Sequence, residues 1–167
     1  MRKIMIYFVL FLIVFIVGCS SNETNFKIAY EGKGGFGYDV ETKAFCLSEL
    51  ISSREELESL SNRYSSRYFD ESSESYNSEI GILIRSYDDV FFDDRSLIIC
   101  EILSGNGFNY KIKLDVNEDK LIINLKKTRK KGVFTDEFFS YLFIIEVEKK
   151  DFSNINRVER IIYWWGI

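Results

Sequence analysis

The chain has 167 residues, with 22 Lys and Arg against 26 Asp and Glu and a formal net charge of −4 at pH 7. Within the first 18 residues only Arg2 and Lys3 are charged, so the remaining 149 residues carry a net charge of −6. This acidity argues against a nucleic-acid binder, which is expected to be basic. The chain has no His, which excludes Ser-His-Asp catalysis, Cys-His catalysis and His-ligated zinc.

The first 18 residues are organised like a signal peptide. Arg2 and Lys3 precede an unbroken apolar run of 14 residues, at positions 4–17. Because a membrane-spanning helix needs about 20 such residues, the shorter run is more typical of a signal peptide.

The residues that end this run indicate how the protein is held. Ile16-Val17-Gly18-Cys19 has a large aliphatic residue at −3, a small residue at −1 and Cys at +1. This pattern resembles the lipobox of bacterial lipoproteins. The resemblance implies that Cys19 becomes the mature N-terminus and carries acyl chains. Two or more such chains anchor stably, at about 0.8 kcal/mol per buried methylene.

The lipobox also implies where in the cell the protein is located. Residues 20–25 are polar and would form a short tether. The protein would then lie on the cell membrane, or on an outer membrane, facing away from the cytoplasm. An uncleaved anchor helix and ordinary secretion with a free Cys19 are the alternatives.

Two further cysteines, Cys46 and Cys100, would lie outside the cytoplasm, where a disulfide is chemically feasible. Both have apolar neighbours in sequence, so two buried reduced thiols are equally natural. Neither has an adjacent basic residue that would activate a nucleophile.

Residues 26–167 predict a single α+β domain that begins with strands. Residues 26–30 alternate as a strand does, and Lys43–Leu47 is a second apolar segment. The glycine-rich residues 31–37 between them lack the phosphate-binding fingerprints and favour a flexible hairpin turn.

Helices are predicted next. Ser53 and Glu56 have the spacing of a capping box, and Leu57 and Leu60 then lie on one face of a helix. The serine-rich and acidic residues 65–78 predict an exposed loop, and apolar residues recur at helical spacing from Ile80 to Tyr87.

The C-terminal half predicts a meander of antiparallel strands. The apolar run Leu97–Leu103 ends at Ser-Gly-Asn-Gly, a hairpin signal because Asn-Gly favours positive φ. Alternating strands follow at Phe108–Val116 and Lys120–Lys127, then two more near 138–148 and 157–165. The predicted fold class is α+β, with a mostly antiparallel sheet and one or two short helices.

Two charged clusters have competing interpretations. Residues 87–94 hold four Asp but lack the calcium-loop pattern, so we expect them to flank a turn while Phe91 and Phe92 fill the core. No metal site is predicted. The basic run Lys126–Lys131 would suit anionic headgroups or would simply be a solvated hairpin tip.

Aromatic residues are the candidates for contact with a partner. Alternation along the last strand would turn one of Trp164 and Trp165 outward, where a Trp is a frequent anchor of interfaces. Phe108, beside the predicted hairpin, is the third candidate. Core packing or cover for a sheet edge is the alternative for the Trp pair.

Catalysis finds little support. The sequence has no GxSxG elbow and no SxxK motif, and no pattern pairs two carboxylates in an apolar pocket as glycosidases require. We therefore predict no enzymatic activity and no cofactor.

The segment at roughly residues 43–149 is similar to the PrcB-like domain of protease-complex-stabilising lipoproteins. The matching features are turns and strands: Ile51–Leu57, Leu97–Leu103 leading to Gly105–Phe108, Tyr110–Ile112, Lys120–Leu125 and Tyr141–Val147. This resemblance implies a non-enzymatic accessory domain that binds or steadies another exported protein. A small-ligand carrier or envelope sensor with an apolar cavity is the alternative, and an exported hydrolase is less favoured.

Overall fold

A computed structural model describes residues 25–43, 45–132 and 137–164 of the chain. These residues form seven strands and four short helices. In chain order they are β1 (Phe26–Lys33), β2 (Ser48–Ile51), α1 (Arg54–Arg63), α2 (Glu79–Ser86), α3 (Asp89–Asp94), β3 (Arg95–Gly105), β4 (Phe108–Asn117), β5 (Lys120–Arg129), β6 (Phe138–Glu148), α4 (Lys149–Phe152) and β7 (Arg157–Trp164).

The strands form two sheets. The first has four antiparallel strands in the order β1-β6-β3-β2, and the second has the order β4-β5-β7. Within the second sheet β4 and β5 are antiparallel, whereas β5 and β7 are parallel. The predicted α+β class with mostly antiparallel pairing is confirmed, with more helices than the one or two expected.

The four-stranded sheet has a hydrophobic core on each face. Leu97 and Ile99 of β3 pack with residues of the helices, whereas Ile98 and Cys100 pack with the three-stranded sheet. Since side chains alternate along a strand, a strand covered on both faces must be apolar throughout. This explains why the paired central strands β3 and β6 are mostly apolar on both faces.

The predicted helix starts are confirmed. The Ser53 Oγ accepts a hydrogen bond from the Glu56 amide at 3.1 Å, and the Glu56 carboxylate accepts one from the Ser52 amide at 2.6 Å. Leu57 and Leu60 are buried on the inner face of α1. Capping satisfies amides that the first helical turn leaves without partners.

Three local predictions in the N-terminal half are wrong. β1 pairs with β6 rather than in a hairpin, so residues 34–38 form a loop across the sheet. The second strand is Ser48–Ile51 rather than the predicted segment Lys43–Leu47. Cys46 has a left-handed φ of 73°, which interrupts an extended strand. The acidic segment forms the short helix α3 instead of a turn, and the Asp88 carboxylate accepts a hydrogen bond from the Phe91 amide at 2.9 Å.

Of the predicted meander, only the antiparallel β4–β5 hairpin is confirmed. The chain does reverse after Gly105, but β3 pairs with β2 and β6 while β4 pairs with β5. The Gly-Asn-Gly segment therefore passes the chain from one sheet to the other. The reason is that β3 has two apolar faces, and a strand in the second sheet covers one of them. β6 then returns to the first sheet, and β7 joins the second in parallel.

Candidate functional site

Two of the predicted contact residues meet at one end of the three-stranded sheet. Phe108 begins β4 and Trp164 ends β7, and their rings lie edge to face with centroids 5.2 Å apart. The Lys127 ammonium, from the end of β5, lies 3.8 Å from the Phe108 ring centroid and 4.5 Å from that of Trp164. We call these three side chains, with the basic run Lys126–Lys131, the aromatic–basic end.

Strand register brings the three residues together. Lys127 is opposite Trp164 on one side and opposite Tyr110 on the other. Phe108 and Tyr110 are two residues apart, so both share the sheet face that carries Lys127 and Trp164. Tyr110 still lies over the core, whereas Trp164 lies beyond it and is 64% exposed.

The electrostatics of the cluster favour contact with anions. Partial burial against the two rings lowers the pKa of the Lys127 ammonium, and the ring faces offset some of its lost hydration. Arg129, Lys130 and Lys131 are exposed next to it. The Lys130 amide donates a 2.8 Å hydrogen bond to the Gly107 carbonyl, which fixes the basic segment beside the turn between the sheets.

Further aromatic surface continues from this cluster. Gly105 lies beside the Phe108 ring, since a Cβ added to it would be 3.8 Å from that ring. On the neighbouring strand Gly105 is paired with Phe138, which is 73% exposed. Next to Phe138, the Phe139 ring lies under the Lys33 ammonium at 4.4 Å. Exposed aromatic rings alternate here with cationic groups.

The opposite end of the sheets carries charges of both signs. β3 starts at Arg95, ten residues before Gly105, which separates the two ends by roughly 30 Å at about 3.3 Å per residue. β1 begins at this opposite end, where Phe26 is paired with Val147. The Asn156 amide donates to the Asp119 carbonyl at 2.9 Å, so the β4–β5 turn lies there too. The acidic residues at or next to this end are Asp93, Asp94, Glu118, Asp119, Glu148 and Asp151, and the basic residues there are Lys27, Arg95, Lys120, Lys149, Lys150 and Arg157.

Cys46 and Cys100 are both free thiols in the structure, the first half-buried and the second buried. The Ser48 hydroxyl lies 3.7 Å from the Cys100 sulfur. The positive charge of Arg160, on β7, favours the thiolate form of Cys100, although the two residues are far apart in sequence. Burial outweighs it and raises the pKa of the Cys100 thiol, so the thiol is not activated. A disulfide between the two cysteines stays a prediction.

The sequence analysis missed a buried carboxyl group, that of Glu101. Its side chain is fully buried on the helix-facing side of β3, and its Oε2 accepts a hydrogen bond from the Phe36 amide at 2.8 Å. Its Oε1 has no hydrogen-bond partner among the described residues. Burial raises the pKa of this carboxyl group. A lone Glu within the run Leu97–Leu103 was the available signal.

Cys19 and Trp165 lie outside the described residues. Within the described part of the chain, no group of three or more Cys, Asp or Glu side chains is arranged to hold a metal ion. No helix in that part combines the length and apolarity needed to cross a membrane.

Comparisons with models of known protein families, with curated proteins and with solved structures found no significant match.

Proposed function

We propose that the protein is a lipid-anchored accessory protein that binds another exported protein through its aromatic–basic end. The observation that carries the proposal is the convergence of Phe108, Lys127 and Trp164 from three strands on an exposed surface. The proposal includes no catalytic step and no cofactor.

The aromatic residues of this surface are typical of an interface. Aromatic residues and Arg are enriched in protein interfaces, and Trp is among the residues that contribute most to binding. Trp164 is held by Phe108 and Lys127, so less conformational freedom is lost when a partner covers it. The basic run beside it favours a partner with acidic groups, and such complementarity increases the rate of association.

The position of the anchor favours a protein partner over the bilayer. A tether of seven residues, 19–25, spans at most about 25 Å when fully extended. It would join Phe26, at the opposite end of the sheets, roughly 30 Å from the aromatic–basic end by the strand spacing. The domain would then be held by the end where β1 begins, with the aromatic–basic end directed away from the lipid.

Site-specific crosslinking in intact cells tests the partner. A photoreactive amino acid replaces Trp164 in the full chain, and in the control it replaces Val116, which is 41% exposed near the other end of β4. We expect one dominant exported protein to be captured from position 164 and not from position 116. Capture of lipid alone from position 164, or equal capture from both positions, would contradict the proposal.

The anchor is tested separately. Cys19→Ala removes the acceptor of the diacylglyceryl group, so we expect the variant to incorporate no labelled fatty acid and to leave the membrane fraction. Cys46→Ala, which retains Cys19, is the matched control and should label normally. Unchanged membrane retention of Cys19→Ala would rule out the lipobox.

A further inference from the structure

A cleft runs along one of the two edges of the four-stranded sheet, that of β2. β2 is the edge strand, paired on one side with β3. On the helix side of β2 a cavity of about 450 Å³ lies against α1, and on the other side a cavity of about 350 Å³ lies against the residues that lead into β7. Glu49, Leu50 and Glu56 line both cavities, so the two form one cleft around the strand edge.

The outer edge of β2 has unused backbone groups. The Glu101 amide donates to the Leu47 carbonyl at 2.8 Å, which sets the alternation of the antiparallel ladder. The main-chain N–H and C=O groups of Leu47 and Glu49 point towards β3, and those of Ser48 and Leu50 point outward from the sheet edge. The next outward residue, Ser52, is satisfied from within the protein, since its amide donates to Glu56 and its carbonyl accepts from Lys149. No such bond reaches the Leu50 main chain from the described residues.

The two cavities have the arrangement that an added strand requires. Successive side chains of a strand point to opposite faces of its sheet. A peptide paired with β2 would therefore place alternate side chains in the cavity under α1 and in the cavity beside Ser48 and Val158. Main-chain hydrogen bonds supply affinity in such complexes, and pockets for alternate side chains supply specificity.

The charge of the cleft selects among peptides. The cavity under α1 is lined by three carboxylates, those of Glu49, Glu55 and Glu56, against the single guanidinium of Arg63. Arg63 is already paired with Glu49 and with Asp39. The excess negative charge complements a basic side chain.

We propose that this cleft binds an extended peptide segment with basic side chains at alternate positions, which adds to the sheet as a fifth strand beside β2. The site is separate from the aromatic–basic end, so it stands or falls independently of the function proposed above. The partner would be a protein that has an extended segment with basic side chains.

A labelled eight-residue peptide of alternating Lys and Val is the probe, and its affinity for the purified full chain is measured by fluorescence anisotropy. A peptide of alternating Glu and Val is the control and should bind at least tenfold more weakly because of charge repulsion. Hydrogen exchange with residue resolution is measured in parallel. Binding by strand addition should slow exchange of the Leu50 amide.

Two substitutions test the two parts of the site. Leu50→Pro removes the outward amide without taking a donor from the β3 ladder, and Pro is tolerated at edge strands. We expect it to weaken binding at least tenfold. Glu55→Lys lies on the exposed surface of α1 and should weaken binding about fivefold, whereas Glu74→Lys, the same charge change on an exposed residue outside the cleft, should leave it unchanged.

Because Leu50→Pro also alters packing, Glu55→Lys tests the site without that complication. Equal affinity for the Lys and Glu peptides would overturn the proposal. So would binding that leaves exchange of the Leu50 amide unaltered, or equal effects of Glu55→Lys and Glu74→Lys.

Discussion

The guanidinium of Arg160 donates a hydrogen bond to the backbone carbonyl of Glu101 at 2.6 Å. The same Nη1 donates to the Leu47 carbonyl at 3.3 Å and to the Ser48 hydroxyl at 3.1 Å. One side chain of β7 thus connects the three-stranded sheet to the β2–β3 edge of the other sheet. Because β7 continues to Trp164, this connection also supports the aromatic–basic end.

Replacing Arg160 should destabilise the fold. Arg160→Met keeps most of the aliphatic stem but removes the donors to three oxygen acceptors, and we expect a loss of about 1–3 kcal/mol. The measurement is urea unfolding followed by circular dichroism. Arg157→Met, on the same strand, is the control, since Arg157 is exposed and its side chain is paired with Glu159 at the surface. It should cost less than about 0.5 kcal/mol, and equal losses would show that the Arg160 contacts contribute nothing specific.

Gly35 is required by the close approach of the Glu101 carboxyl group. A Cβ at position 35 would lie 2.4 Å from the Glu101 Cδ, so Gly35→Ala should force a shift and cost about 1–3 kcal/mol. Gly105→Ala is the matched control, because its nearest contact is an ordinary 3.4 Å. Thermal unfolding of both variants checks the difference, and a Gly35→Ala midpoint no lower than that of Gly105→Ala would contradict it.

The buried carboxyl of Glu101 should make stability depend on pH. Its folded-state pKa is raised above the ordinary value of 4.5, so between these two values the folded protein holds a proton that the unfolded chain has lost. The contribution is therefore fully present below pH 4.5 and is lost as the pH rises through the folded-state pKa.

Glu101→Gln isolates this effect. The amide is nearly isosteric and does not titrate, so the free energy of unfolding of the wild-type protein should fall relative to that of the variant as the pH rises above 4.5. Urea unfolding at a series of pH values gives the difference. A difference that stays constant, or that grows in favour of the wild-type protein, would contradict a raised pKa.

Phe108 should control the environment of Trp164. Their rings are in contact, so Phe108→Ala should expose Trp164 further and shift the tryptophan emission to longer wavelength. Phe45→Ala removes an exposed ring that contacts Tyr38 instead, and its spectrum should match the wild-type spectrum. Identical spectra for the two variants would show that the packing of Phe108 and Trp164 does not persist in solution.

The two cysteines should differ in reactivity towards iodoacetamide. Cys100 is fully buried and its pKa is raised, so Cys46 should be alkylated first in the folded protein, and both should react after unfolding. If a disulfide joins them, the unreduced protein will instead be about 2 Da lighter and will resist alkylation until it is reduced. Mass spectrometry distinguishes the two states.

The sequence alone determined the secondary-structure elements that depend on residues close together in the chain. The capping box fixed the start of α1 because Ser53 and Glu56 satisfy amides within one turn. The alternation of β4 and β5, and the mostly apolar runs of β3 and β6, reflect how many faces of each strand are covered. The sequence also marked Phe108 and Trp164 as candidates for contact with a partner, and that stays a prediction.

The tertiary structure decided which strands pair and which distant side chains meet. The Gly-Asn-Gly turn fixes a reversal of the chain, but the sheet that β4 joins depends on which partner covers the apolar faces of β3. The same long-range pairing brings Lys127 between Phe108 and Trp164, and Arg160 to the Glu101 carbonyl. Neighbours in sequence cannot encode these contacts, because pairing between remote strands is set by the burial of whole faces rather than by local conformational preference.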